Sequence, residues 1–408
     1  MIKRIRVLYS FPHKLGADRI CYTAWHQVNG LARAGADVLT FPGVLSKPLP
    51  KNVQVWPTLS WGRVRIPYKC LGRARALGLH DWIVARRMGT MAGQVDIVHT
   101  WPQGALRTLK AAARLGIPTV LERPNAHTRF AYEVVQRECE RIGVRLPSGH
   151  EHAYDVNTLK REEEEFQLAS TLLCPSDFVV KTFVEKGFPP ERLVRHAYGF
   201  DERRFFPREG ACGADTGLTV LFAGGCAPRK GLHCALEAWL QSAACQQGRF
   251  LIAGAFVPGY AEKLSALLAQ ASVHVLGHRD DIPELMRQSD ILVLPSIEEG
   301  SALVTSEARA SGCVLLVSEA SGAYCTHMVN ALVHRVGDVG ALAEHMTRLH
   351  NDRTLLRRLR ANSLRTVHEI TWKAAGVRLL QVYREVIATH NAGTQQNNAA
   401  GLHHAAGE

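Results

Sequence analysis

Leu294-Pro295-Ser296-Ile297-Glu298-Glu299-Gly300-Ser301-Ala302-Leu303-Val304-Thr305-Ser306-Glu307-Ala308 decides how the chain is read. The apolar run at 291–295 reads as a buried strand, and the residues from Ser301 onward read as a helix. A strand that feeds a helix through a short turn is the unit of a parallel sheet. In open sheets of that kind, ligands lie beyond the carboxyl ends of the strands. A polar residue just past a strand is therefore a site candidate, and the same residue in mid-helix is not.

The pattern repeats on both sides of this stretch. Residues 218–223 form an apolar strand, followed by Gly224-Gly225 and a helix from about Gly231, and 250–254, 274–277 and 314–318 continue the alternation. Upstream, strands are expected at 5–9, 37–41, 96–99 and 119–122. A loop with Gly16 and an amphipathic helix through Gly30 follow the first of them, and Gly116-Ile117-Pro118 breaks the helix before the last. Between the halves, 207–217 holds Pro207, Gly210, Gly213 and Gly217 with little apolar content. The expected fold is α/β, with two doubly wound Rossmann-like domains facing a cleft. The boundaries are an acceptor-side domain at 1–208, a hinge at 209–217 and a ligand-binding domain at 218–370. A helix at 371–390 packs back towards the first domain, and 391–408 is expected to be a disordered tail.

The 408 residues suffice for two buried cores, and 46% hydrophobic with 21% charged residues is the balance of an ordinary folded chain. The basic start is followed by apolar residues only at 7–11, stopped by Pro12, which is too short for a secretory leader and reads as a first strand. No eighteen-residue apolar run exists, so no membrane-spanning helix is expected. Ten cysteines without a C-x-x-C pair, Cys21, Cys174 and Cys234 among them, read as reduced buried thiols in a cytoplasmic protein.

The net charge of +12 belongs to the first half, because residues 1–210 hold 32 Lys+Arg against 20 Asp+Glu and the remainder holds 17 of each. Within 61–87, Arg63, Arg65, Lys69, Arg73, Arg75, Arg86 and Arg87 face a single acid, Asp81, and are interleaved with Trp61, Tyr68 and Trp82. The mixture suits peripheral contact with an anionic membrane at its inner face, or a phosphorylated acceptor. A solvated helix face over a normal core is the alternative. No recognisable nucleic-acid module is present, and no nucleic-acid partner is expected.

Two segments carry the chemistry. After 218–223 come Gly224-Gly225-Cys226-Ala227-Pro228-Arg229-Lys230-Gly231, where small residues let a phosphate approach the backbone and Arg229 and Lys230 can neutralise it. After 291–295, free amides at the helix start, from Gly300 through Ser301, Ala302, Leu303 and Val304, can hold an anion. Glu299 before that helix and Glu307 two turns along can accept hydrogen bonds from vicinal hydroxyls, as in a sugar or a ribose. Each has a plainer reading, a capping carboxylate for Glu299 and a solvated side chain for Glu307.

Taken together, these residues resemble the nucleotide-binding domain of glycosyltransferase family four, which has the GT-B architecture. The E-x7-E motif matches as Glu299 to Glu307 and the phosphate lysine as Lys230. Pro175-Ser176, Tyr198-Gly199-Phe200-Asp201, Phe206-Pro207 and Ala310-Ser311-Gly312 add supporting matches, so the resemblance runs from about residue 5 to 340.

The resemblance implies a retaining enzyme that moves a hexose-type sugar from a nucleotide diphosphate to a glycan, a lipid-linked or another hydroxyl acceptor, as in polysaccharide or glycolipid biosynthesis. Lys230 would meet the diphosphate, with Arg229, Gly224 and Gly225 beside it. Glu307 would hold the ribose, and Glu299 would contact the transferred sugar. His278 and Arg279 would lie near the base, and Gly16 in the first-domain loop. His127, after the 119–122 strand, would contact the donor sugar, with His99 as the fallback. No D-x-D sequence occurs, so no metal and no cofactor beyond the nucleotide-sugar co-substrate are expected. Members commonly have arginine where this chain has Gly225, and G-F-G where it has Gly300-Ser301-Ala302. Alternatives to transfer are a GT-B-shaped nucleotide-sugar epimerase and a non-catalytic nucleotide-sugar-binding protein.

Overall fold

A computed structural model of the chain describes residues 4–61, 64–65, 71–91, 93–208 and 217–405. The first lobe is built on β1 (Arg6–Leu15), β2 (Asp37–Leu45), β3 (Val53–Val55), β6 (Ile97–Thr100), β7 (Thr119–Glu122), β8 (Thr171–Cys174) and β9 (Leu193–Arg195), with a small hairpin of β4 (Ser60–Trp61) and β5 (Val64–Arg65) beside it. The sheet order is β3-β2-β1-β6-β7-β8-β9, parallel throughout. The second lobe holds β10 (Thr219–Ala223), β11 (Arg249–Ala253), β12 (Val273–Gly277), β13 (Ile291–Leu294), β14 (Val314–Ser318) and β15 (Ala331–His334) in the parallel order β12-β11-β10-β13-β14-β15. In both sheets the order reverses beside the first strand, the switch point at which such sheets bind ligands. β6, β7, β8, β10, β13 and β14 are buried at every position. Helices on both faces impose that, and it explains why the strands read as continuous apolar runs.

β1 does not end at Pro12. It continues to Leu15, pairing Lys14 with Val44 and Leu15 with Leu45 across a register shift after Phe11. An irregularity in the ladder is where a strand tolerates proline. The closing helix, Trp372–Ala405, also outruns its expectation, since the tail expected to be disordered continues it to Ala405. Its Leu379, Val382 and Tyr383 are fully buried against Val7, Val28 and Trp101 of the first lobe. The chain thus crosses back, and the Tyr383 hydroxyl sits 2.6 Å from His99 Nδ1. Most of the expected hinge, 209–216, lies outside the described residues.

The Arg73–Met88 helix shows both readings of the basic stretch at once. Ala76, Leu77, Val84 and Met88 are buried, while Arg73, Arg75, Trp82 and Arg86 are exposed. Asp81 is not a surface counter-charge. It is buried and accepts the Arg107 and Thr108 amides at 2.8 and 2.9 Å, which caps the Leu106–Arg114 helix where Ala105 cannot. Residues 62–63 and 66–70 of the stretch lie outside the described residues. The eight described cysteines are free thiols. No helix among the described residues is long and apolar enough to cross a membrane.

Candidate active site

β10 ends at Ala223, and the chain then makes a single turn, Pro228–Lys230. Gly231 closes it at φ +69, where a Cβ would lie 2.1 Å from the Pro295 carbonyl oxygen. Only glycine allows that approach. It brings the turn onto the end of β13, where the Ile297 amide donates to the Arg229 carbonyl at 2.8 Å. Two cations thereby meet two carboxylates. Lys230 Nζ donates to Glu299. Arg229 donates to the Glu298 carbonyl at 2.8 Å and its carboxylate at 3.2 Å, and lies 3.3 Å from Glu299. Burial pushes the Glu299 carboxyl up, but Arg229 and Lys230 outweigh it and hold it at about 2. Burial lowers Lys230, and its contact with Glu299 offsets this only in part.

The first lobe reaches this cluster at three places. The Ala126 amide donates to Glu298 at 3.2 Å. Ser176 Oγ donates to the Gly300 carbonyl at 2.6 Å. A Cβ on Gly300 would lie 1.7 Å from the Pro124 carbonyl oxygen, so residues 298–300 are wedged between the lobes. Beyond them Glu151 lies close enough to Arg229 and Arg19 to feel both. Its carboxyl is held at about 2, first by the hydrogen bond with His152 and then by those two arginines.

Further along the same segment, no side chain caps the Leu303–Ala310 helix, because its N-cap is Ala302. Its first amides therefore lack a side-chain partner, and a helix end of that kind attracts anions. Glu307, at its second turn, lines a cavity of about 240 Å³ with Arg19, Tyr22, Lys47, Asp201, Arg204 and Trp372. Burial raises Glu307 to about 7, Arg204 pulling down and Asp201 pushing up. The cavity is walled by both lobes and by the start of the closing helix. A ligand spanning it and the Lys230–Glu299 cluster would hold the lobes together.

The structure thus gathers Arg229, Lys230 and Glu299 in one cluster and sets Glu307 on the adjoining helix. A Cβ on Gly225 would meet nothing within 4 Å, so the space beside the turn is open at that position and at the neighbouring Gly224. Gly16 turns the chain from β1 towards the Ile20–Arg33 helix. His278 and Arg279 are not brought to the cluster. His278 is 81% exposed near Asp280, and Arg279 pairs with Asp281.

His127, expected beside the donor sugar, is held by packing within the first lobe. Its ring packs edge-on to Phe166 and Phe183 and its Nδ1 accepts the Arg129 amide at 3.2 Å. Burial together with nearby Arg123 keeps it neutral, with a value of about 3. It caps a helix inside the first lobe. His99 is sealed in a network with Tyr383 and, at 3.5 Å, Glu122. Glu298, Glu151 and Arg19 are the functional candidates that the sequence reading misses. The Glu298-Glu299 doublet is the one local signal that could have pointed to any of them.

The family model described as "Glycosyl transferases group 1" matches residues 217–352, the lobe that carries Lys230, Glu299 and Glu307. A D-inositol 3-phosphate glycosyltransferase of Thermobispora bispora is 26% identical over 391 residues, covering 88% of this chain and 87% of that protein. An N,N'-diacetylbacillosaminyl-diphospho-undecaprenol alpha-1,3-N-acetylgalactosaminyltransferase of Campylobacter jejuni is 31% identical over 122 residues, covering 29% of this chain and 32% of that one. The crystal structure of Anabaena HepE in complex with UDP and glucose has the same fold, with a TM-score of 0.63 at 17% identity over 94% of this chain and all of that one.

Proposed function

Starting from a chain that is a group 1 glycosyltransferase of the family-four kind, we propose that it transfers a hexose-type sugar from a nucleoside diphosphate to a phosphorylated or lipid-linked hydroxyl acceptor, with retention and without a metal. The observation that carries this reading is the contact of Lys230 and Arg229 with Glu299 at the wedge between the lobes. A diphosphate arriving there takes over Lys230, and Glu299, ionised down to about 2, is released towards the sugar. Lys230, Arg229 and the first amides of the Leu303–Ala310 helix then offset charge on the leaving diphosphate, the task a divalent cation performs elsewhere. Attack comes from the leaving-group face, and the departing phosphate takes the acceptor proton. The contacts of residues 298–300 with Pro124, Ala126 and Ser176 exclude water from the reacting bond.

The relatives support the donor and acceptor classes. HepE holds UDP and glucose, and the names of the two sequence relatives give an inositol phosphate and a diphospho-undecaprenol acceptor. Arg75, Trp82 and Arg86 share the exposed face of the Arg73–Met88 helix, an anion-seeking surface for such an acceptor.

The test is transfer across a panel of nucleotide sugars with lipid-phosphate and sugar-phosphate acceptors, read by product anomer. Lys230→Ala and Glu299→Gln are each expected to lower turnover by about 10²-fold, the scale for one preorganised electrostatic contact. Excess chelator should not lower it. Near-normal turnover in both variants would reject the site, an inverted anomer the stereochemistry, and loss with chelator the metal-free chemistry.

A further inference from the structure

A second cluster of donor atoms lies away from the Glu307 cavity, between two helices that belong to different lobes. Glu138 is on the Thr128–Ile142 helix of the first lobe, and His233 and Cys234 are in the first turn of the Leu232–Gln241 helix of the second. One ligand atom from each lies within 4.8 Å of the others. His233 Nε2 is 2.7 Å from Glu138 Oε1, and the ring is 3% exposed. The other ring nitrogen, Nδ1, is 2.8 Å from the Tyr260 hydroxyl, the outer partner that fixes a metal-binding imidazole. Arg141, one turn after Glu138, donates to both carboxylate oxygens, at 2.7 Å to Oε1 and 3.2 Å to Oε2, so a metal ion would share the carboxylate with it. The cluster opens onto a cavity of about 560 Å³ that Glu237 also lines, leaving room for water or a fourth ligand. This cavity shares no lining residue with the one at Glu307.

We propose that Glu138, His233 and Cys234 bind a thiophilic divalent cation of the zinc class that staples the two lobes together. A thiolate, an imidazole and a carboxylate with one open position make a tetrahedral zinc set, and sulfur with nitrogen disfavours magnesium and calcium. Binding releases the Cys234 proton, as any thiolate site must. None of the three residues is among those assigned to the donor, so the transfer chemistry stays metal-free. The effect is on motion. The Leu232–Gln241 helix starts two residues after Lys230, so fixing it to the first lobe holds the phosphate-binding turn in the closed arrangement. Release of product then slows where opening limits turnover.

The test uses the full chain, reduced and stripped of metal, titrated with Co²⁺ and then Zn²⁺. The expected result is one equivalent of Co²⁺ with a thiolate charge-transfer band in the near ultraviolet and strong tetrahedral visible bands, all displaced by Zn²⁺. Cys234→Ser should remove the thiolate band. His233→Ala and Glu138→Gln should weaken Zn²⁺ binding by about tenfold or more. No thiolate band in the unaltered chain, or its persistence in Cys234→Ser, would overturn the site. Should Cys234→Ser fail to fold, Glu138→Gln, at a half-buried position, decides by affinity: unchanged Zn²⁺ binding overturns the site. Zn²⁺ should also slow transfer several-fold in the unaltered chain, reversibly by chelator, and leave the Glu138→Gln variant unaffected. Equal turnover of the unaltered chain with and without bound Zn²⁺ would overturn the staple.

Discussion

The two ends of the 299–307 segment carry the same residue type and the same nominal charge balance, yet they hold their carboxylates in opposite states. At one end Arg229 and Lys230 touch Glu298 and Glu299 directly. At the other, Arg19, Lys47 and Arg204 share a cavity with Asp18, Asp201 and Glu307. Contact makes the difference. Glu299 is driven down to about 2 although burial opposes it, whereas burial lifts Glu307 to about 7, Arg204 offsetting it only in part and Asp201 adding to it. A carboxylate in permanent ionic contact suits a place where charge changes during reaction. One that is only half ionised near neutrality suits neutral hydroxyls, which do not care about a full counter-charge.

The strongest way to break this contrast is to remove the cation that serves both carboxylates. Arg229→Ala leaves the fully buried Glu298 with only the Ala126 amide, and an uncompensated buried charge costs about 3 kcal/mol or more. Denaturant unfolding should show that loss. A change below about 1 kcal/mol would mean that water, rather than Arg229, stabilises Glu298.

A smaller effect comes from the other end. Above pH 7 Glu307 is ionised and accepts two hydroxyl bonds; below it the carboxyl is neutral and accepts poorly. If the ionised form binds the ribose, donor KM falls about tenfold between pH 6 and pH 8, as one proton titrating at about 7 requires. Glu307→Gln should flatten the profile. A pH-dependent KM that survives in Glu307→Gln would assign the titration to another group.

How far the sequence reveals each end follows from the range of the contacts that make it. β10, β13 and β14 were legible within a residue or so, because an apolar run that stops at glycine or proline is a local signal. The positions of Lys230, Glu299 and Glu307 are local too, each in the loop after such a run or in the second turn of the helix that follows it. What decides their state is not local. Ala126 and Glu298 are 172 residues apart, and Glu151 feels the charge of Arg229 from the other lobe. His127 is the clearest case. Its position after β7 is local information, whereas its ring direction is set by Phe166 and Phe183, on two later helices. β1 outruns Pro12 for a similar reason, since its partner β2 supplies the ladder beyond the proline.

The finest test sharpens the contrast by adding charge where the first end lacks it. Arg229 and Lys230 are matched there by Glu298 and Glu299, so an incoming diphosphate finds no net cation until Lys230 changes partner. Gly225 lies on the same turn with open space around its Cα, so Gly225→Arg places a guanidinium beside the phosphates without a clash and without a carboxylate already bound to it. One exposed charge-assisted contact of this sort contributes about 1 kcal/mol, so donor affinity should rise about fivefold at low salt and the gain should fade in high salt. The Glu307 profile should not move, because that end is reached only by hydroxyls. If Gly225→Arg instead shifted the pH dependence of donor binding, the two ends would be coupled electrostatically, and the division of labour between diphosphate and ribose would have to be redrawn.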